Sequence, residues 1–177
     1  MARGKQAAVD PYAAALRMLA RRPYSVAELR RALERKFPAD PGLSEVIARL
    51  RQLGYLNDKK FAAQYASSLA RNRAFGPYRV RRELKAKLVD YRYIEPAVLQ
   101  AYEETSEQEL LARVLQKKLR TVRLPVTASK LSSLCQSLLR RGFRADDIMK
   151  AVRSRPELRP VAEGASLTEL ECEAGQD

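Results

Sequence analysis

Apolar residues recur at helical spacing in three segments of the chain that lie at a constant separation. Val80, Leu84 and Leu88 follow at steps of four residues, which predicts one apolar stripe along a short helix. The same pattern occurs 51 residues earlier and 51 residues later, at Leu29, Leu33 and Phe37, and at Leu131, Cys135 and Leu139. A constant offset over three copies indicates an internal repeat.

Capping and turn residues separate these stripes. Gly76-Pro77 predicts a helix start, because proline fits the first helical position. Ser25–Glu28 and Ser106–Glu109 match the capping box of a helix N-terminus, and Gly54 and Gly142 predict helix ends. The prolines that we predict to lie at helix boundaries are Pro11, Pro23, Pro38, Pro41, Pro77, Pro96 (as a helix start with Glu95) and Pro125.

The pattern therefore predicts an all-α protein of nine helices in three tandem three-helix repeats. The repeats are expected at residues 11–56, 57–105 and 106–155, in an elongated array that can curve. Each unit has a thin core, so neighbouring units must pack or the array will flex. We expect residues 1–10 to be a disordered N-terminus and residues 156–177 to be an acidic disordered tail.

The net charge of the chain narrows the classes of molecule that the protein can bind. The chain has 177 residues with 34 Lys and Arg against 21 Asp and Glu, a net charge of +13. The last 17 residues hold five of the acids and none of the bases, so residues 1–160 carry 34 bases against 16 acids. Such a field attracts polyanions or acidic protein surfaces. The alternative is a helical protein whose charges only keep it in solution.

Catalytic chemistry finds little support in the sequence. The chain has no His and only two Cys, and its seven Gly form no phosphate-binding loop. Glu103-Glu104 and Asp146-Asp147 are adjacent pairs, and adjacent helical residues do not face each other. We expect no enzyme activity, no metal and no cofactor. Cys135 lies on an apolar stripe, and no secretory signal or membrane span is evident, which favours a cytoplasmic protein.

Basic side chains are predicted to face outward, above all from the middle helices of the first two repeats. Phe75 and Tyr78 lie among them and can stack on bases or fill the gap between helices. Sequence-specific reading of the major groove is a weaker alternative, because the third helices begin with residues that suit it poorly. The predicted binding residues are Arg31, Arg35, Arg71, Arg73, Arg79, Arg82, Lys85, Lys117, Lys118, Arg140 and Arg141.

Three motifs resemble those of the bacterial RecX regulators, and the resemblance covers about residues 12–153. The motifs, in order, are Ser25-x-x-Glu28-Leu29-Arg30-x-x-Leu33, Leu50-x-x-Leu53-Gly54-Tyr55-Leu56-Asn57-Asp58-x-x-Phe61-Ala62 and Gly76-Pro77-x-Arg79-Val80-x-x-Glu83-Leu84. The sequence departs most from the family pattern in the third repeat.

The resemblance implies tandem three-helix repeats and binding to the RecA recombinase filament on single-stranded DNA. There the family restrains ATP hydrolysis and strand exchange, either by blocking filament extension or by promoting disassembly. It also implies contacts with single-stranded and double-stranded DNA, and we expect a monomer. Two hypotheses compete with this interpretation. One is a general DNA-binding protein without a recombinase partner, and the other is an adaptor for an acidic protein. The RecX interpretation fails if Arg31, Arg35, Arg79 and Arg82 are scattered or locked in internal ion pairs.

Overall fold

The computed structural model describes residues 10–121 and 125–162, and regular structure in these ranges is helical, without a strand. None of the helices in these ranges has the length and apolar character needed to cross a bilayer. Residues 1–9 of the predicted N-terminus and most of the acidic tail lie outside the described residues, whereas Asp10 is described. The helices are α1 (Pro11–Arg21), α2 (Val26–Lys36), α3 (Leu43–Gln52), α4 (Asp58–Arg73), α5 (Pro77–Ala86), α6 (Tyr91–Glu103), α7 (Glu107–Leu119), α8 (Ala128–Arg140), α9 (Ala145–Arg153) and the short α10 (Arg159–Ala162).

Short polar side chains start most of these helices by accepting hydrogen bonds from backbone N–H groups of the first turn. Ser25 accepts from the N–H of Glu28, and Ser106 accepts from that of Glu109, as the sequence predicts. Gly54 and Gly142 follow helices at φ of 77° and 88°, so both predicted helix ends are confirmed. The other capping side chains are Asp10, Asn57, Asp90 and Thr127.

Pro96 does not start a helix, and that prediction is wrong. α6 begins at Tyr91, where Asp90 accepts a hydrogen bond from the N–H of Arg92, and Pro96 lies inside the helix. Proline within a helix removes one backbone hydrogen bond and costs about 3 kcal/mol. The helix forms despite this cost because Ile94, Ala97, Val98 and Ala101 on its inner face are buried.

The prediction that Leu88 completes the apolar stripe of α5 is also wrong. The helix ends at Ala86, and Leu88 adopts a φ of 56° with 37% of its surface exposed. The N–H of Val89 then donates to the carbonyl of Leu84, which is the bond of a Schellman helix end. This turn reverses the direction of the chain, so Val89 enters the core instead of Leu88. At the end of α8, likewise, Leu138 is fully buried, whereas Leu139 is only partly buried.

The helices pack in three consecutive groups, but the described residues form two hydrophobic cores. α1, α2 and α3 enclose one core around Leu29, Leu33 and Leu50. The helices from α4 onward share a single continuous core. The expectation of one thin core per unit therefore holds for the first group only, and the second and third groups form one body.

Ordered structure continues past residue 156, where the sequence places the start of the tail. Leu158 is fully buried, and α10 packs against α8 and α9. Burying this leucine fixes the chain to the third group, because each buried side chain of this size contributes about 1.5–3 kcal/mol. The predicted disordered tail is thus wrong for residues 156–162.

The first core joins the second through polar contacts. The hydroxyl of Ser25 donates to the carbonyl of Lys87, and Asp58 accepts from the N–H of Val26 at 2.8 Å. Glu28 lies 3.0 Å from both Lys87 and Arg22. Burial raises the pKa of the Glu28 carboxyl, but hydrogen bonds from Arg22 and Lys87 outweigh it and leave the pKa lowered.

Candidate polyanion-binding site

Two glycines let the backbones of the second and third groups touch. The N–H of Gly76 donates to the carbonyl of Arg141 at 2.8 Å, and the N–H of Tyr78 donates to that of Gly142 at 3.2 Å. A Cβ atom on Gly76 would lie 2.3 Å from the Gly142 oxygen, and one on Gly142 would lie 2.2 Å from the Arg79 nitrogen. Only glycine fits either position, so the first turn of α5 is held against the end of α8.

This contact gathers basic residues that are distant in sequence. Nη1 of Arg141 donates to the carbonyl of Arg73 at 2.9 Å, and Nη1 of Arg79 donates to that of Arg140 at 3.3 Å. Lys118, in the last turn of α7, is close enough to Arg140 and Arg141 for their charges to affect its titration. We call these five residues the junction cluster: Arg73, Arg79, Lys118, Arg140 and Arg141.

Lys118, Arg140 and Arg141 take part in no ion pair with a described residue, whereas Arg79 is paired with Glu83. Partial burial lowers the pKa of the Lys118 ammonium group, and the charges of Arg141 and Arg140 lower it further. A carboxylate beside the lysine would have the opposite effect. A cluster in this condition attracts an external anion, because phosphate oxygens would supply the missing negative charge.

The main role of the Arg79 side chain is to hold the cluster in place. It offers less positive charge to a ligand than the other members do. Its Nε donates to Glu83 at 2.7 Å, and its guanidinium lies 5.0 Å from the centroid of the Phe75 ring. Phe75 is partly buried against the core, and its carbonyl accepts a hydrogen bond from the Tyr102 hydroxyl. Phe75 is therefore a packing residue, whereas Tyr78 stays 56% exposed.

The remaining predicted binding residues have different surroundings. Arg71 forms an ion pair with Glu104, so its charge is partly neutralised. Arg31 and Arg35 are exposed on α2, in the group with the separate core, and Arg82, Lys85 and Lys117 are exposed on α5 and α7. Of the four arginines on which the sequence interpretation depends, Arg79 alone takes part in an ion pair within the described ranges.

The contact between Gly76 and Gly142 was not predicted from the sequence. Each glycine has a local explanation, as a helix start and as a helix end, and these explanations hide the contact between them. Their equivalent places at the start and end of the middle helices of successive repeats were the available signal. Sequence reasoning also missed Glu107, whose carboxylate carries a buried oxygen without a hydrogen-bond partner in the described part of the chain.

No group of three or more His, Cys, Asp or Glu side chains in the described ranges could hold a metal ion. Cys135 is buried, and burial raises the pKa of its thiol. The guanidinium and ammonium groups of the junction cluster are of the kind that binds anions. Fold and site together define a class, namely a helical protein of tandem three-helix units with a basic surface where two units meet.

Comparison with known proteins identifies the family that has this tandem three-helix fold. Residues 12–41 match the first three-helix domain of RecX, and residues 57–98 match the second. The regulatory protein RecX of Trichlorobacter lovleyi is 30% identical over 139 residues, which cover 77% of this chain and 90% of that protein. The RecX of Chlorobaculum tepidum is 34% identical over 140 residues, which cover 78% and 84% of the two chains. The chain belongs to the RecX family of regulatory proteins.

Relatives of greater length are matched over only part of their chains. The RecX of Bacillus subtilis is 34% identical over 139 residues, which cover 78% of this chain and 52% of that one. The chain thus spans about half the length of this relative. The crystal structure of RecX from Lactobacillus salivarius superposes with a TM-score of 0.67 at 24% identity, over 81% of this chain and 93% of the other. This likeness supports the all-α tandem fold.

Proposed function

We propose that this protein regulates RecA by binding the RecA filament on single-stranded DNA, where it restrains ATP hydrolysis and strand exchange. Membership of the RecX family supports RecA as the partner. The observation that carries the mode of binding is the junction cluster, in which cations from two groups converge without a compensating carboxylate at Lys118. The protein acts as a cytoplasmic, non-enzymatic regulator that needs no cofactor.

The junction cluster suits the DNA component of such a filament. Phosphate groups follow one another along a strand, and binding cations release condensed counterions. Rigid placement of the backbone adds to this attraction, since the contact of Gly76 and Gly142 fixes the start of α5 against the end of α8 before binding. A protein fixed across neighbouring RecA subunits would hinder the rearrangements that accompany hydrolysis and strand exchange.

The direct test follows RecA-dependent ATP turnover on single-stranded DNA while this protein is added. We expect turnover to fall as the protein approaches stoichiometry with RecA, because each bound molecule restrains the subunits beneath it. Turnover that stays unchanged at stoichiometric protein would refute the proposed function. Equal DNA affinity with and without RecA would instead favour a general DNA-binding protein.

A charge-neutralised variant tests the role of the junction cluster. Lys118→Gln with Arg140→Gln should lower the salt dependence of binding to a fluorescent single-stranded oligonucleotide, with a slope smaller by about 1.4 for two lost phosphate contacts. The control is Arg17→Gln with Arg21→Gln, which removes the same charge from exposed positions on α1. Equal losses in the two variants would mean that net charge alone governs binding.

A further inference from the structure

A groove runs between α4 and α6, and none of the residues that line it belongs to the junction cluster. It consists of two depressions of about 510 and 440 Å³, which share Ala63 and Gln100 in their walls. Asn57 and Lys60 face Arg92 and Tyr93 at one end, and Arg71 pairs with Glu104 at the other. The two helices therefore run in the same direction, and both begin at the Lys60 end of the groove.

Two of the four cations that line this groove have acidic partners. Arg92 lies 3.0 Å from Asp90, and Arg71 is paired with Glu104. Between these ends the walls carry uncharged polar side chains, namely Gln64, Ser67, Ser68, Asn72 and Gln100. A nucleic-acid strand, with a charge on every phosphate, would find no cations along this middle stretch. The groove is thus poorly suited to DNA.

The same features suit a polypeptide. Side-chain amides such as that of Gln100 both donate and accept, so they can pair with the N–H and carbonyl groups of a peptide main chain. Tyr93, Pro96 and Ala97 give the first depression an apolar lining for an apolar side chain.

The end where both helices begin adds a preference for negative charge. Lys59 and Lys60 are exposed and form no ion pair with any described residue. The N-termini of α4 and α6 add the positive ends of two helix dipoles. Asp58 and Asp90 also lie there, but Asp58 accepts from Val26 and Asp90 pairs with Arg92. A carboxylate of the bound segment would fit beside the two lysines.

We propose that the α4–α6 groove binds a polypeptide segment of the partner protein, with an acidic residue at the Lys59–Lys60 end and an apolar residue over Tyr93 and Pro96. This inference rests on the proposed function, under which the segment belongs to RecA. Protein and DNA then occupy separate surfaces of the molecule, the α4–α6 groove and the junction cluster.

A substitution that fills the groove without changing charge tests this assignment. Gln100→Trp places a large side chain between the two depressions, and the exposed position tolerates it. The concentration needed for half-maximal restraint of RecA turnover should rise about tenfold, as for a central interface residue. Binding to free single-stranded DNA should not change. The matched control, Gln116→Trp on the exposed face of α7, should alter neither property.

The outcomes separate this inference from the proposed function. If the wild-type protein restrains RecA and Gln100→Trp does so equally well, the groove assignment is wrong while the function stands. If Gln100→Trp weakens binding to free DNA as much as it weakens restraint of RecA, the groove binds nucleic acid and the inference is overturned. A wild-type protein without effect on RecA would instead overturn the proposed function itself.

A photo-crosslinking residue identifies the occupant directly. Benzoylphenylalanine at position 100 should crosslink to a RecA peptide when the filament is present, and the same residue at exposed Glu45 should not. A crosslink to DNA, to a second copy of this chain, or to its own residues 163–177 would overturn the assignment to a RecA segment.

Discussion

Gly142 combines two properties that no other residue type supplies at once. Its φ of 88° is unfavourable for side chains with a Cβ atom, and such an atom would lie 2.2 Å from the backbone nitrogen of Arg79. We expect Gly142→Ala to lower the free energy of unfolding by about 2–4 kcal/mol, from backbone strain together with overpacking. Urea denaturation of the purified protein measures this loss.

Gly54 provides the matched control for that measurement. Its φ of 77° is equally unfavourable for alanine, but no atom lies within 4 Å of the added Cβ. Gly54→Ala should therefore cost only the strain of about 1 kcal/mol. If the two variants lose the same stability, the close backbone contact between the second and third groups does not exist.

Glu107 is a second residue whose environment leads to a prediction. Burial raises the pKa of its carboxyl and the charge of Asp147 raises it further, whereas Arg144 and Arg81 act in the opposite direction. A folded-state pKa above the unfolded value means that the folded protein binds this proton more tightly. The resulting contribution to stability is present below the unfolded pKa and is lost as the pH rises through the folded pKa.

Replacing the Glu107 carboxylate with a neutral amide should therefore stabilise the protein at pH 7. We expect Glu107→Gln to raise the free energy of unfolding by up to about 1 kcal/mol, a small gain because solvent screens this partly exposed group. Thermal unfolding at pH 7 and at lower pH should show that the gain shrinks on acidification. Glu109→Gln, at an exposed site on the same helix turn, should bring no gain; a loss of stability in Glu107→Gln would contradict the account.

At the scale of elements, a buried hydroxyl joins the start of α2 to the end of α5, beside the ion pair of Glu28 and Lys87. Ser25 is completely buried; its hydroxyl oxygen accepts from the N–H of Glu28 at 3.0 Å, and its O–H donates to the carbonyl of Lys87. The same side chain thus caps its own helix and joins the first group to the second. Capping alone is readable from the sequence, but the second bond depends on the arrangement of the two groups.

Ser25→Ala should cost more than an ordinary helix cap. The loss of the cap accounts for about 1 kcal/mol, and the unpaired Lys87 carbonyl for about 1–2 kcal/mol more. Ser106→Ala, which removes a cap that bonds Glu109 at 3.4 Å on the surface, should cost only about 0.5–1 kcal/mol. Chemical denaturation of both variants compares the two losses, and equal values would show that Ser25 does not join the groups.

Elements that depend on local patterns could be predicted from the sequence, and those that depend on tertiary packing could not. The start of α2 follows from Ser25 and Glu28, which act within one turn. The position of Pro96 inside α6 could not be predicted, because the burial of Ile94 and its neighbours outweighs the cost of the proline. The end of α5 was missed since leucine seldom adopts the positive φ that Leu88 has.

At the scale of the whole molecule, the sequence predicts which basic residues bind, but it does not indicate that they lie close together in the fold. Arg73, Lys118 and Arg140 were predicted to bind because of their type and exposed positions. Their convergence depends on the contact between Gly76 and Gly142, which are separated by an entire helical unit. Charge reversal at Arg79 would not test binding alone, since its side chain also contacts Glu83, Phe75 and the Arg140 carbonyl.

The two bodies of the fold suggest how such a molecule lies on a filament. The first three helices have their own core and reach the rest through polar contacts, whereas α4 to α10 share one core. The junction cluster and the α4–α6 groove both belong to the second body. Their relative placement is therefore fixed by a continuous core, which allows one rigid surface to contact DNA and another to contact protein.

A cryo-electron microscopy reconstruction of the protein on a RecA filament with single-stranded DNA tests the central claim most directly. The account predicts that Lys118, Arg140 and Arg141 lie within about 10 Å of the DNA backbone, the range over which charges interact at physiological salt. A filament that carries this protein with the junction cluster turned toward solvent, or a filament that carries none of it, would contradict the account.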